Sequence, residues 1–217
     1  MAEASPEKVP VGCLSDCRGS QAETEEIVTM VGLKRGALRI GKYRLAFGYF
    51  IGVVCLALAR EELFLPGVAI AFSGIAFRLW SAGCIDKNRC LAMGGPYALC
   101  RNPLYLGSFI MGIGAVLAVR VWWLLVVYVI GFAVFYWPTI LREERALAAK
   151  FGDEYSAYRG QVPSFVPRKV RLEDNGFSIS NVLRNREHLY ALASLAFLVL
   201  LEAAEELRSF FAHHGGL

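Results

Sequence analysis

The apolar residues of this chain come in long uncharged blocks, and that arrangement constrains the fold more than any motif does. Residues 45–59 carry no charge and are flanked by Arg44 and Arg60. Residues 63–85 are apolar apart from Arg78 and a few small polar side chains. Residues 104–119 and 121–141 form two further blocks separated only by Arg120, which predicts a tight helical hairpin. Residues 189–201 form a fifth block, followed by Glu202, Glu205 and Glu206. A helix needs about 20 apolar residues to cross a hydrocarbon core about 30 Å thick. The first block is a little short, but arginines at its ends can snorkel and extend it. The fifth either spans by recruiting His188, Ala203 and Ala204 or lies on the membrane surface. Composition agrees: 56% of the residues are hydrophobic and 19% charged, against about 45–50% and about 25% in soluble domains. The expected class is an all-α, polytopic membrane helix bundle of about five transmembrane helices.

Basic residues set the expected orientation. Residues 1–44 hold 7 Lys and Arg, the 86–103 loop holds 3 and residues 142–188 hold 9. All of these share one side if the N-terminus is cytoplasmic, as the positive-inside rule requires. Only Arg60, Arg120 and Arg208 fall opposite, and Arg78 falls within a span. The expected division is an N-terminal segment over 1–43, a membrane domain over 44–203 with cytoplasmic loops 86–103 and 142–188, and a tail over 204–217. The first forty residues carry acids (Glu3, Glu7, Asp16, Glu23, Glu25 and Glu26) and lack the apolar core of a signal peptide. They are expected to be a solubilising tail or a lid, with a short surface helix over 23–38. The six cysteines fall in reducing or membrane surroundings, so no disulfide framework is expected, and Cys13 and Cys17 lack a second pair for zinc. The net charge of +4 singles out no partner, and no nucleic acid is expected.

Three places can carry chemistry. Arg78 is a charge inside a span, a functional hypothesis by default, although it lies near enough to the cytoplasmic end to snorkel. The stretch from Arg89 to Gly107 brings Gly94, Gly95 and Pro96, a turn signal, to Asn102-Pro103, which reads as the N-cap and first residue of a helix. That reading leaves Tyr97, Arg101, Tyr105 and Gly107 unexplained. Helix N-terminal N–H groups beside two aromatics and an arginine can hold a polar ligand. The third place is Arg142-Glu143-Glu144-Arg145. These carboxylates are surface charges if the helix simply continues through Phe151, or receive a cationic group if they point back toward the 86–103 loop.

Gly95-Pro96-Tyr97, then Arg101-Asn102-Pro103-Leu104-Tyr105-Leu106-Gly107, a hydrophobic hairpin, Glu143-Glu144-Arg145, residues 151–158 and Val162-Pro163 resemble, in order and spacing, the isoprenylcysteine carboxyl methyltransferase family. That family is related to the membrane phospholipid N-methyltransferases, and the resemblance covers roughly residues 70–168. It implies S-adenosylmethionine as methyl donor in a cytoplasmic pocket and a lipophilic small molecule or lipid entering from the bilayer. By the resemblance, Arg89, Cys90, Leu91, Ala92 and Tyr97 contact the donor, together with Asn102, Pro103, Leu104, Tyr105, Glu143 and Glu144. Gly112 and Gly114 match in form the Gly-x-Gly of the phospholipid enzymes, although small residues also serve helix packing. Glu143 or Glu144 would pair with the donor's ammonium and Arg101 or Arg89 with its carboxylate. The 151–158 stretch would continue helically and pack over the donor.

Two positions depart from the family pattern. Asn102 stands where many carboxyl methyltransferases have His, so it cannot carry a proton at neutral pH. Thr139 stands where they have a substrate-facing Arg, a role Arg78 is expected to take. Arg78, Asn102 and Glu143 are therefore the residues expected to act on the reacting groups. Three activities fit: methyl transfer to a lipophilic acid or similar acceptor, methyl transfer to a phospholipid amine, or a non-enzymatic membrane protein that kept the fold. The expected location is a cell or inner membrane in a bacterium, or the endoplasmic reticulum in a eukaryote.

Overall fold

The computed structural model describes residues 43–59, 63–85, 91–168 and 176–214. The expected surface helix over 23–38, Arg89 and Cys90 lie outside these residues. Everything described is helix, turn or extended connection. In chain order the helices are α1 (Tyr43–Leu58), α2 (Leu65–Gly83), α3 (Pro96–Leu99), α4 (Pro103–Ala118), α5 (Trp122–Gln161), α6 (Ile179–Arg184) and α7 (Glu187–His214). Among the described residues three helices are long and apolar enough to cross a membrane: α2, α5 and the Glu187–Arg208 portion of α7. The shorter apolar helices α1 and α4 pack among them. The chain is an integral membrane protein.

The fifth apolar block is thus part of a long helix, and the expected tail is helical through His214. The 40 residues of α5 would run about 60 Å if straight, twice the hydrocarbon thickness. Its second half, within the segment 142–188, continues the helix of the fourth apolar block and includes the 151–158 stretch that the resemblance made helical. Gly152, at φ 51°, breaks it before its last turns.

Small residues draw α2 against α4. A Cβ on Gly67 would overlap the backbone of Ala118, and one on Gly74 the backbone of Met111 and Gly107. Backbones this close are the usual means of helix association where lipid supplies no hydrophobic drive. An aromatic stack fills the other side of α4. Phe109 lies 4.9 Å from Phe132 and 6.0 Å from Tyr128, Phe132 stacks on Tyr136 at 4.1 Å, and Phe47 of α1 stands 6.2 Å from Tyr128.

The two ends of the bundle differ. At one, Arg208 donates to the Ala57 and Ala59 carbonyls that end α1, at 3.3 and 2.5 Å, and Phe64 N–H donates to Ala118 O at 2.9 Å. At the other, α6 covers the end of α2: Asn181 and Asn185 donate to the Gly83 and Ala82 carbonyls, both at 3.1 Å. A helix leaves its last carbonyls without intrahelical partners, and these side chains supply them. The starts of α1, α4 and α7 meet here, with the middle of α5.

Candidate functional site

At this second end the chain turns sharply. Gly95 is buried at φ 57°, a conformation that glycine adopts without a Cβ clash. Pro96 opens the single turn α3, and Cys100 leaves it in extended backbone. Pro103 then starts α4, where its missing N–H leaves nothing unsatisfied. Arg101 and Asn102 are held between two helix starts, facing α5.

On α5 the adjacent Glu143 and Glu144 point to different neighbours, as about 100° per residue demands. Glu144 is buried and faces the turn. Its Oε2 pairs with Arg101 Nη2 at 3.1 Å, and its Oε1 accepts from Asn102 Nδ2 at 2.8 Å and from Ser164 Oγ at 2.6 Å. Asn102 Nδ2 also donates to Ser164 O at 3.0 Å. Glu143 is exposed and accepts from Tyr105 Oη at 2.6 Å. The helix runs on through Phe151, and still one of the two carboxylates reaches back to the loop. Asn102 occupies the N-cap position of α4 without its side chain capping the helix; the amide is spent on Glu144 and Ser164 instead.

The chain after α5 closes this hub. Beyond the break at Gly152, Tyr155 and Tyr158 are buried against Leu91, Leu147 and Phe151. Tyr158 Oη donates to Tyr97 O at 2.7 Å. The return segment then crosses the turn: Arg101 N–H donates to Pro163 O at 2.9 Å and Arg168 N–H to Leu99 O at 3.2 Å. Phe165 enters the aromatic stack, 5.6 Å from Phe109. Burial pushes the phenols of Tyr97, Tyr158 and Tyr155 above their ordinary range. It also raises the Cys100 thiol to about 11, opposed by a backbone hydrogen bond from Asn102.

Buried polar atoms normally find partners. Here Tyr97 Oη, Arg101 Nε, Tyr155 Oη and His188 Nδ1 have none. Arg101 Nε and Tyr155 Oη lie by the Glu144 carboxylate, where they can receive polar atoms from elsewhere, whereas the acidic neighbour of the Tyr97 hydroxyl is Glu187.

The structure therefore brings together Tyr97, Arg101, Asn102 and Glu144, with Tyr105 and Glu143 one helix face away. Pro103 is buried at the first turn of α4, and Leu104 offers its carbonyl to Arg78 at 3.4 Å. Leu91 packs under the tyrosines; Ala92 is half-buried beside it. A Cβ on Gly112 would overlap the Tyr128 ring and one on Gly114 the Ala71 backbone, so both glycines serve helix packing here. Arg78 is engaged as well: Nη2 meets Glu187 at 2.8 and 3.0 Å, Nε meets the same carboxylate at 3.2 Å, and Nη1 donates to Ser108 Oγ. Its charge is matched within the bundle by Glu187.

Ser164 and Glu187 escaped the reading of sequence, while Tyr155 and Tyr158 fall in the 151–158 stretch that the resemblance singled out. The apolar pattern ends before Ser164, and Glu187 is an ordinary charge at a helix start until α7 is seen docking on α2. Among the described residues no group of three or more His, Cys, Asp or Glu side chains is placed to hold a metal ion.

The chain is similar to known proteins. Residues 47–154 match the model of the phospholipid methyltransferase family. The chain is 34% identical over 147 residues to the cobalt-zinc-cadmium resistance protein CzcN of Cupriavidus metallidurans, covering 60% of this chain and 64% of that protein. It is 36% identical over 106 residues to the nickel-cobalt-cadmium resistance protein NccN of Alcaligenes xylosoxydans xylosoxydans, 47% of each. It is 30% identical over 117 residues to the protein-S-isoprenylcysteine O-methyltransferase of Schizosaccharomyces pombe, covering 54% of this chain and 48% of that enzyme. The chain thus spans less than two thirds of the length of each. No solved structure matches it.

Proposed function

Because this chain belongs, through residues 47–154, to the phospholipid methyltransferase family, we propose that it is an S-adenosylmethionine-dependent methyltransferase acting on a lipophilic acceptor. The observation that carries the reading is the buried hub of Glu144, Arg101 and Asn102 with the orphaned Arg101 Nε and Tyr155 Oη. The residues present fit the donor's charges. Arg101 gives one nitrogen to Glu144 and keeps Nε for a carboxylate, while Glu144 and Glu143 are the anions for an ammonium. Tyr155 adds a hydroxyl to the same wall. When bound, the donor supplies a methyl group on sulfonium sulfur, which passes to an acceptor lone pair as the carbon–sulfur bond breaks and a neutral thioether leaves.

The chain's own residues then have positioning work, which can provide much of the rate enhancement. Asn102 and Ser164 fix the Glu144 carboxylate from two sides. Tyr158 fixes the Tyr97 backbone, and the return segment excludes water from above. A carboxylate acceptor needs no base, whereas an amine must lose a proton on the way to product. On this reading the hub faces the cytoplasm, the side to which the basic clusters assign it, and the acceptor arrives through the bilayer. The resistance named in two of the relatives would then depend on methylation of a membrane component.

The test is incubation of the purified protein in lipid vesicles with methyl-tritiated donor, followed by extraction of the lipophilic product. Label released as methanol by mild base marks a carboxyl ester, and base-stable label marks an amine, the activity that the family's name suggests. Absence of label from vesicles offered both S-farnesylcysteine and phosphatidylethanolamine would count against the enzyme.

A further inference from the structure

A second arginine stands beside the hub, on the face of α5 that Glu143 occupies. Arg44, at the start of α1, donates through Nη1 to Tyr105 Oη at 2.5 Å, and its guanidinium lies 5.6 Å from the centre of the Tyr105 ring. The Tyr105 hydroxyl passes its own proton to Glu143 at 2.6 Å. A phenol is thus inserted between a guanidinium and a carboxylate. Among the described residues Arg44 makes no ion pair of its own, although it is half-buried. Arg78, by contrast, is met by a carboxylate at 2.8 Å.

Arg44 lies on the face of α1 that turns inward, one turn before the buried Phe47 and before Gly48, which faces Tyr136, while Tyr43, Tyr49 and Phe50 turn outward at 64, 75 and 59% exposed. The wall opposite is Tyr136, whose ring stands edge-on to Tyr105 at 6.1 Å. Thr139, one turn before Glu143 and on the same face, brings no charge. On the inner side Tyr105 sits one turn along α4 from Asn102, so a group held at Arg44 lies next to the hub. A half-buried guanidinium whose fork is held by one neutral hydroxyl is matched best by a planar anion, which it can grip in bidentate fashion.

We propose that Arg44 is the specificity-determining residue that holds the anionic head group of the acceptor, with Tyr105 and Glu143 orienting its guanidinium. This rests on the methyltransferase reading above. It moves recognition of the acid from the second span to the first.

The experiment uses full-length protein in nanodiscs with S-adenosylhomocysteine, the donor's product, present at saturation. Binding of N-acetyl-S-farnesylcysteine and of its methyl ester is compared in wild type, Arg44→Gln and Arg44→Lys. Wild type should prefer the acid. Arg44→Gln should lose on the order of tenfold in acid affinity, the worth of one hydrogen bond to a charged group, with ester and donor-product affinities unchanged. Arg44→Lys should regain part of the preference. Retained preference in Arg44→Gln, or no preference in wild type that binds the donor product, would overturn the role of Arg44 alone. Wild type that does not bind the donor product would overturn the methyltransferase reading and this inference with it. Unchanged affinity for the donor product is the check that Arg44→Gln has folded.

Discussion

Two ion pairs among the described residues look alike in geometry and differ in what surrounds them. Arg78 and Glu187 join α2 to α7, and Ser108 and the Leu104 carbonyl take up the arginine's remaining nitrogen. Arg101 and Glu144 join the turn before α4 to α5, and here Arg101 Nε itself and the neighbouring Tyr155 Oη are left without partners. In the first pair every nitrogen of the arginine is matched, although His188 Nδ1 beside Glu187 is not. The second is complete on one side only. A buried pair gains little net stability, because desolvation offsets most of its attraction, while removal of one partner is strongly unfavourable. Saturation is therefore what tells a tether from a site: a tether has no use for spare donors, and a binding site requires them.

The largest effect should come from breaking the complete pair. Glu187→Ala leaves the partly buried Arg78 without its anion and should reduce stability by up to about 3 kcal/mol, the lower end for a broken buried pair, read as a fall in thermal midpoint in detergent. The double change Arg78→Met with Glu187→Leu should recover most of that loss, since matched apolar groups often replace a buried pair at little penalty. If the double variant stays as unstable as the single, the pair is not a simple tether.

Next is the response to donor. Ligand that binds only the folded state stabilises by about 2.7 kcal/mol at a hundred times its dissociation constant. S-adenosylmethionine should therefore raise the melting temperature of wild type and of the double variant, and fail to raise that of Glu144→Gln. A response in Glu144→Gln equal to that of wild type would erase the distinction between the two pairs.

Smaller is Tyr158→Phe, which removes the hydrogen bond to the Tyr97 carbonyl. The expected loss is about 1 kcal/mol of stability, with weaker donor binding because Tyr97 is no longer fixed.

The smallest effect is one of pH. The Cys100 thiol, next to Arg101, is raised by burial from 9.0 to about 11. The folded state thus keeps a proton that the unfolded state gives up, and the associated stability is whole below pH 9 and declines as pH climbs toward 11. Iodoacetamide at pH 9 should modify Cys100 slowly in the native protein and fast after denaturation. Equal rates in the two states would mean that the turn is open.

The same contrast explains what the sequence disclosed. Apolar blocks announced every long helix, and Arg120 announced the hairpin, because water and lipid act on each residue separately. Asn102-Pro103 located the start of α4, but not that the Asn102 side chain would leave the cap for Glu144. That preference depends on Ser164, sixty-two residues on, and no local rule reports it. Gly112 and Gly114 carried a pattern common to cofactor loops and close-packed helices; only the position of Tyr128 and Ala71 separates the two. Arg78 looked like an active charge because Glu187 lies more than a hundred residues away and nothing before the fold links them. The matched family region ends at residue 154 and the resemblance read from the motifs near residue 168, so α7, which supplies Glu187, lay beyond the recognisable pattern.

The central claim is that the incomplete pair is a donor site. It is tested most directly by isothermal calorimetry of S-adenosylmethionine against detergent-purified wild type and Glu144→Gln. The account predicts saturable binding to wild type and a loss of at least about tenfold, near 1.4 kcal/mol, in the variant. Well-folded wild type that takes up no donor, or a variant that binds it as tightly as wild type, would contradict it.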